Sequence, residues 1–487
     1  MSYKFWFMVG SQHLYGAEVL KEVAEHGNIM AKGLNSDEII PFEVVFKGVA
    51  TTPEEIKKVC VEANGDSECA GVISWMHTFS PSKMWIGGLS ILNKPYLHLN
   101  TQFNRNIPFD TIDMNFMNTN QSAHGDREHG FITARLRMKR KVICGYWEDK
   151  AFRRRIGGWM RSAAGALFSR SLKVMRLGDN MRYVAVTEGD KIQAEKDFGW
   201  SVNTYGVGGF AELVNNASDA ETNEKIEEYR SRYAFNTNNI EAVRYQAKLE
   251  TALEQMLTEG GFDAYTDTFE DLYGLMQLPG LATQNLMSKG YGFGAEGDWK
   301  TAALAAVMRA MSQGLDNGLS FIEDYTYHFE LGNEAVLGAH MLEISPAIAA
   351  DRPRIEVHPL GIGGKADPAR LVFEGKKGDA LLTTIVDMGG RFRLISHDIH
   401  AIAPLKKMPN LPVASVMWRP EPDMITGNEA WILCGGTHHS VISYDLTAEH
   451  MRDFAEIMGI EFIHINKNTT IPELRDKLAL SDIIWRG

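Results

Sequence analysis

Phe5-Trp-Phe-Met-Val-Gly-Ser-Gln-His-Leu-Tyr-Gly16, followed by the amphipathic stretch Ala17 to Leu34, decides how the chain is read. Five apolar residues in a row, Phe5 to Val9, suit a strand buried on both faces, and the polar loop after them leads into helical periodicity. The same unit recurs. Phe42 to Phe46, Gly71 to Trp75 and Tyr96 to Leu99 read as strands, and Pro53 to Ala63 and Ser82 to Leu92 as helices. Strand and helix in turn imply a parallel sheet covered on both faces, with ligands at the carboxyl ends of its strands. That rule directs attention to the loops Gly10 to Gly16 and His77 to Ser80.

A second alternating region starts near Leu172, where the strand candidate Lys173 to Leu177 runs into Gly178-Asp-Asn-Met-Arg182. Ala211 to Leu315 is mostly helical in pattern. Beyond Leu319 the character changes to short β-rich segments: His340 to Ile344, Arg354 to His358, Ala369 to Phe373, Leu381 to Val386, Phe392 to His397, Val413 to Trp418 and Ala430 to Cys434. Strands at such spacing suggest an antiparallel barrel or sandwich. The expected fold is α/β, with two Rossmann-like doubly wound α/β domains, 1–170 and 171–319, followed by a β-rich, barrel-like C-terminal domain, 320–487. No fixed-period repeat or low-complexity tract interrupts it.

Composition narrows the function classes. A chain of 487 residues with 44% hydrophobic and 23% charged residues is a soluble globular type with room for several cores. Its net charge of -12, from 50 basic and 62 acidic residues, argues against a surface that tracks nucleic acid. A neutral substrate is not repelled. No apolar run approaches the roughly 18 to 20 residues of a membrane span, and the N-terminal run is too short for a secretory signal. Cys60, Cys69, Cys144 and Cys434 show no CxxC or zinc spacing, which fits reduced thiols in a cytoplasmic protein.

Three stretches carry the candidate chemistry. In Gly290-Tyr-Gly-Phe-Gly-Ala-Glu-Gly-Asp-Trp-Lys300, Gly292-x-Gly294-x-x-Gly297 matches the dinucleotide fingerprint formally, and Asp316 lies near the distance of a ribose-binding acid. The context disagrees. Gly280 to Lys289 before it reads as helix, and an acid among the glycines would repel pyrophosphate. The glycines instead allow close backbone approach around Glu296, whose carboxylate can point into a site. In Phe321-Ile-Glu-Asp-Tyr-Thr-Tyr-His-Phe-Glu330, Glu323 sits between apolar residues and needs a partner, either a basic side chain or a cation. Gly338-Ala-His340-Met-Leu-Glu343 follows closely. Trp431-Ile-Leu-Cys-Gly-Gly-Thr-His-His-Ser440 reads as an apolar strand ending in a histidine pair, of which only one ring can address a given site. Two carboxylates and two imidazoles suit a divalent ion such as Mn²⁺ with positions left open for hydroxyls. Separations this long prove no convergence.

These segments, in this order, resemble the L-arabinose isomerase family. So do Gly10-Ser-Gln-His-Leu-Tyr-Gly16, Trp75-Met-His-Thr-Phe-Ser-Pro81, Asn120-Gln-Ser-Ala-His-Gly-Asp-Arg127 and His358-Pro-Leu-Gly-Ile-Gly-Gly364. The resemblance implies a metal held by Glu296, Glu323, His340 and His439, with His438 beside the site and Glu296 and Glu323 as the catalytic pair. It places sugar contacts at Gln12, Leu14, Phe79, Gln121, His124, Phe269, Phe321, Met341 and Ile362. It further implies conversion of L-arabinose to L-ribulose, slower conversion of D-galactose to D-tagatose, one Mn²⁺ per subunit with Co²⁺ or Mg²⁺ as substitutes, and a homohexamer whose active sites are shared between subunits.

Such a reaction moves one hydrogen between C2 and C1, through a cis-enediol or by a metal-assisted hydride shift, and the residues fit both routes. Two rivals remain at this level. Related folds isomerise other aldoses such as L-fucose, and paired α/β lobes also build sugar-binding proteins without activity. The missing secretory signal and the clustered carboxylates count against the second.

Overall fold

The apolar N-terminal run forms β1 (Lys4–Gly10), buried from Phe5 onward. With β2 (Glu43–Ala50), β3 (Cys69–Met76), β4 (Tyr96–Asn100) and β5 (Lys141–Cys144) it makes a parallel sheet in the order β2-β1-β3-β4-β5. The helix Gly16–Asn35 buries Val23, Gly27, Met30, Ala31 and Leu34, the single stripe that its sequence period requires. Successive strands leave β1 on one side and return on the other, so a crevice opens at the carboxyl ends of β1 and β3. The loops that carry Gln12 and Phe79 stand there. The helix expected over Ser82 to Leu92 is instead a 3-10 turn, Ser82–Trp85, and one short turn, Ile86–Leu89. Gly87 and Gly88 weaken helix propagation at its middle.

The computed structural model describes residues 2–485, and the sheet just given belongs to the first of two compact units, Met1–Leu167 and Phe168–Gly487. The second unit opens with a four-stranded parallel sheet. β6 (Lys173–Leu177), β7 (Ser201–Tyr205), β9 (Ala264–Asp267) and β10 (Gly292–Gly294) take the order β10-β9-β6-β7, and β8 (Ala234–Phe235) lies outside it. β9 and β10 fall inside the segment expected to be mostly helical. Runs of four and three residues are too short to show a strand period. β10 lies so close to the helix Trp299–Met311 that a Cβ on Gly292 would meet Ala302 O at 2.2 Å, and one on Gly294 would meet Asp298 O at 2.4 Å. The glycines of the false fingerprint thus seat a helix against a strand.

β11 (Leu319–His328), β12 (Ala335–Ala339), β15 (Gly378–Asp387), β16 (Phe392–Ile402), β17 (Ser415–Pro420) and β18 (His439–Ser443) close a six-stranded antiparallel barrel, in the order β15-β18-β11-β12-β17-β16 and back to β15. β19 (Glu461–Ile465) adds to β16 in parallel. Ile322, Leu382, Ile395, Val416, Trp418 and Ile442 belong to its apolar core. Three expectations are corrected. β13 (Arg354–Val357) and β14 (Ala369–Val372) leave the barrel and pair with β8 in a separate sheet. Ala430 to Cys434 is not a strand but lies at the end of the helix Met424–Leu433, which Asp423 caps by accepting from Ile425 N and Thr426 N. His340 to Ile344 follows β12 as a loop, because Glu343 folds back onto His340 and accepts from Leu342 N at 3.1 Å.

Candidate metal centre

Barrel register builds half of the site. Glu323 in β11 stands opposite His439 in β18 and opposite Ala339 in β12, and His340 is the next residue after Ala339. Cross-strand neighbours of an antiparallel pair lie about 4.5–5.5 Å apart at Cβ. Their side chains therefore converge: Glu323 Oε1 is 3.1 Å from His439 Nε2 and 3.5 Å from His340 Nε2.

The other half comes from the parallel sheet. Glu296 follows β10 with φ +61°, a left-handed backbone that a non-glycine residue adopts at a cost of about 1–3 kcal/mol. Its neighbours over-determine it: Glu296 O accepts from Met181 N at 2.9 Å, and Gly297 N donates to Asp267 O at 2.9 Å. Gly297, at φ +84°, packs against Asn180 so closely that a Cβ there would be 2.6 Å from Asn180 Cα. This turn aims the Glu296 carboxylate at the barrel, 3.7 Å from His439 Nε2.

Each buried imidazole is oriented from behind. Asp298 caps the helix Trp299–Met311 and accepts from His439 Nδ1 at 3.0 Å. Lys300 Nζ lies 3.2 Å from the same carboxylate and donates to Val186 O and Glu188 O. His340 Nδ1 bonds Glu343. A carboxylate on Nδ1 fixes the tautomer and leaves Nε2 as a lone-pair donor, the usual device behind a metal-ligating histidine. Phe321, fully buried, packs edge-on against both rings, with centroids 5.2 Å from His340 and 5.3 Å from His439.

The charges match. Burial opposes ionisation of Glu323, but His439 and the neighbouring imidazoles outweigh it and draw its pKa below the usual carboxylate range. Burial likewise opposes a charge on His439, yet Asp298 and Glu323 hold its pKa up at about 9. His340 is also raised: Glu343 and Glu323 overcome the penalty of burial. Asp298 is held well below its ordinary value despite complete burial, by Lys300 and His439.

A cation fits these residues on two counts. Donor atoms of Glu296, Glu323, His438 and His439 lie within 4.8 Å of one another. His439 Nε2 is buried and, among the described residues, has no hydrogen-bond partner, which is costly unless something accepts its lone pair. The expectation that only one of the adjacent histidines can face the site is corrected. His438 precedes β18, free of the strand's alternation, and its Nε2 reaches within 3.9 Å of Glu296 and 4.0 Å of Glu323. It is exposed, and among the described residues no carboxylate bonds its Nδ1.

Residues 1–171 match the L-arabinose isomerase N-terminal domain, 173–314 the central domain and 318–461 the C-terminal domain. The chain belongs to the L-arabinose isomerase family. It is 55% identical over 491 residues to an L-arabinose isomerase of Geobacillus kaustophilus, with 100% of this chain and 99% of the relative covered. An L-arabinose isomerase of Thermotoga petrophila is 53% identical over 485 residues, covering 99% and 98%.

The sugar contacts implied by membership of the L-arabinose isomerase family fall into two groups. In the second unit, Phe269, Met341 and Ile362 line a cavity of about 430 Å³, counting its mouth, together with Asp267, Glu296 and His340. Phe321 stands behind the histidines rather than at the cavity wall. In the first unit, Gln12, Leu14, Phe79, Gln121 and His124 gather at the carboxyl end of the sheet. The rings of Phe79 and His124 meet at a tilt of 58° with centroids 4.6 Å apart, Tyr15 donates to Gln121 Oε1 at 3.3 Å, and Thr78 Oγ1 donates to Ser11 Oγ at 2.7 Å. Leu14 is 81% exposed. Asp298, Glu343 and Asp267 had no role in the sequence reading. No local signal marks them, since each acts on a partner far along the chain or folded back by a loop.

Proposed function

We propose that this chain is an aldose–ketose isomerase that converts L-arabinose to L-ribulose, and D-galactose to D-tagatose more slowly. Similarity along the whole chain to proteins named L-arabinose isomerase carries the reading. The two sugars share their configuration from C2 to C4, and the extra hydroxymethyl group of galactose must crowd into the same cavity.

Glu296, Glu323, His340 and His439 would hold one divalent ion, Mn²⁺ by preference, with Co²⁺ or Mg²⁺ as substitutes. When bound, the ion polarises sugar oxygens and lowers the cost of negative charge on them. His340 is preferred to His438 as a ligand because it is buried and carries a carboxylate on Nδ1. His438 is left to meet the sugar. By the enediol route Glu323, unprotonated at neutral pH, would take the proton that leaves C2 and return it at C1, while Glu296 would take the O2 proton and return it at O1. His439 stands beside both carboxylates and His340 beside that of Glu323, which helps to hold them in place.

The working form we propose is a cytoplasmic homohexamer whose active sites combine the first unit of one subunit with the second unit of its neighbour. Exposed Leu14, Phe109, Met114 and Leu331 supply apolar surface that assembly would cover. Among the described residues no helix is long and apolar enough to cross a membrane.

The test is to load the protein with Mn²⁺, incubate it with L-arabinose, D-galactose and L-fucose, and measure ketose. Ribulose should form fastest. No ketose from any aldose, from folded and metal-loaded protein, would end the proposal.

A further inference from the structure

Asp267 ends β9, beside the turn that carries Glu296, and its backbone O holds Gly297 N at 2.9 Å. Its side chain does something else. The residue is only 6% exposed and lines the cavity with Phe269, Glu296, His340 and Ile362. Among the described residues its Oδ2 has no hydrogen-bond partner. A carboxyl group buried without a partner costs several kcal/mol or must find one. The cavity it lines is otherwise walled in part by Leu272, Leu278, Pro279 and Leu360, whose side chains offer no donor.

Asp267 is neither among the donors that converge within 4.8 Å, Glu296, Glu323, His438 and His439, nor among the ligands proposed above. It shares the cavity lining with Glu296 and His340. Parallel strands present their carboxyl ends to ligand, and β9 and β10 are neighbours in register, with Thr266 beside Gly294.

From this geometry we infer that Asp267 binds a hydroxyl group of the sugar, one on C3, C4 or C5, and so selects among aldoses. The inference rests on the isomerase reading for its choice of ligand. The two reacting oxygens belong to the glutamate pair, which leaves the remaining hydroxyls for other polar groups of the cavity lining. A carboxyl group both accepts from and, when protonated, donates to a hydroxyl. A site built to pair a hydroxyl discriminates strongly against an analogue that lacks it, because the protein's own polar group is then stranded.

Binding is measured by calorimetry, so that turnover is not needed. Wild type, Asp267→Ala and Asp267→Asn are each titrated, Mn²⁺-loaded, with the non-isomerisable pentitol L-arabitol and its single-deoxy analogues. Asp267→Ala should bind the parent about 3- to 10-fold more weakly, the worth of one hydrogen bond between neutral groups, because burial and nearby Glu343 push the Asp267 carboxyl up to about 8. Against one deoxy analogue the two proteins should bind alike. Asp267→Asn, which keeps shape and hydrogen-bonding capacity, should recover part of the affinity and guards against a folding defect in the alanine variant. Mn²⁺ affinity should stay within a few-fold of wild type. Unchanged polyol binding in both variants, an equal loss for every analogue, or a loss that follows Mn²⁺ affinity would each overturn the assignment. Ketose formation is assayed in parallel. Asp267-dependent polyol binding without turnover in wild type would sink the isomerase reading and spare Asp267, and the reverse pattern would do the opposite.

Discussion

Asp298 joins two parts of the fold with one carboxylate: it caps the helix Trp299–Met311 and accepts a hydrogen bond from His439 Nδ1, at 3.0 Å, across 141 residues of sequence. Asp298→Asn keeps a good capping residue but can present an amide N–H to the ring, which allows the other tautomer. We expect Mn²⁺ affinity weakened about 10- to 100-fold and stability lowered by up to about 3–5 kcal/mol, because buried Lys300 loses its carboxylate partner. The metal-free variant should also show a His439 pKa below the present value of about 9, read by NMR. Unchanged metal affinity would mean that Asp298 serves the helix alone.

Glu296→Gln and Glu323→Gln should each fold, since the amide keeps the shape, and should each lose at least about 10²–10⁴-fold in turnover, the usual contribution of an acid or base. Metal affinity should fall too, because an amide carries no charge. Turnover like that of wild type in either variant removes that glutamate from the chemistry.

The metal-free site binds protons where it would bind a cation. With its folded pKa raised to about 9, His439 adds stability in its protonated form that is fully present below its unfolded value, about 6.5, and is lost as pH rises through 9. Cation binding runs the other way, since a ligating imidazole must be neutral. Apparent Mn²⁺ affinity should therefore drop about tenfold for each pH unit below 9 while one proton is displaced. Raised His340 steepens the slope further in the range where it too is protonated. Calorimetric titrations between pH 6 and 9 in buffers of different ionisation enthalpy would count the protons, and a pH-independent Kd would contradict the assignment of both histidines.

Gly297→Ala tests the turn that aims Glu296. The new Cβ would sit 2.6 Å from Asn180 Cα and 2.7 Å from Asp179 O, at a φ of +84° that costs an L-residue about 1–2 kcal/mol before any overlap. The backbone must shift, and Glu296 with it. Turnover should fall by more than the loss of stability explains, as measured by activity and thermal unfolding on the same sample.

Much of this was legible in residue order. The unbroken run Phe5 to Val9 announced a strand buried on both faces, and β1 is that strand. Glu296 stood out because glycines framed it, and Glu323 because an acid directly after the apolar pair Phe321-Ile322 needs compensation. What stayed hidden was long-range or short-lived. Asp298 and Glu343 look like ordinary acids until the fold sets them behind histidines. β10 spans three residues and leaves no period. The run Ala430 to Cys434 misled because an apolar stretch of that length suits a buried helix as well as a strand, and the deciding cap, Asp423, lies seven residues upstream.

The proposed sharing of sites makes the sharpest prediction. Gln12, Leu14, Phe79, Gln121 and His124 lie in the unit Met1–Leu167, and Glu296, Glu323, His340 and His439 in the unit Phe168–Gly487. His124→Ala and Glu323→Ala should each be inactive alone. Mixed under conditions that let subunits exchange, some interfaces will pair an intact first unit with an intact second unit, and part of the activity should return. If each site is instead built within one chain, every site in the mixture carries one lesion and nothing can return. Mixed oligomers must first be demonstrated, for example by mass spectrometry with one variant isotopically labelled. Silence from proven mixtures would reject sharing, while restored turnover that rises with the fraction of mixed interfaces would establish it.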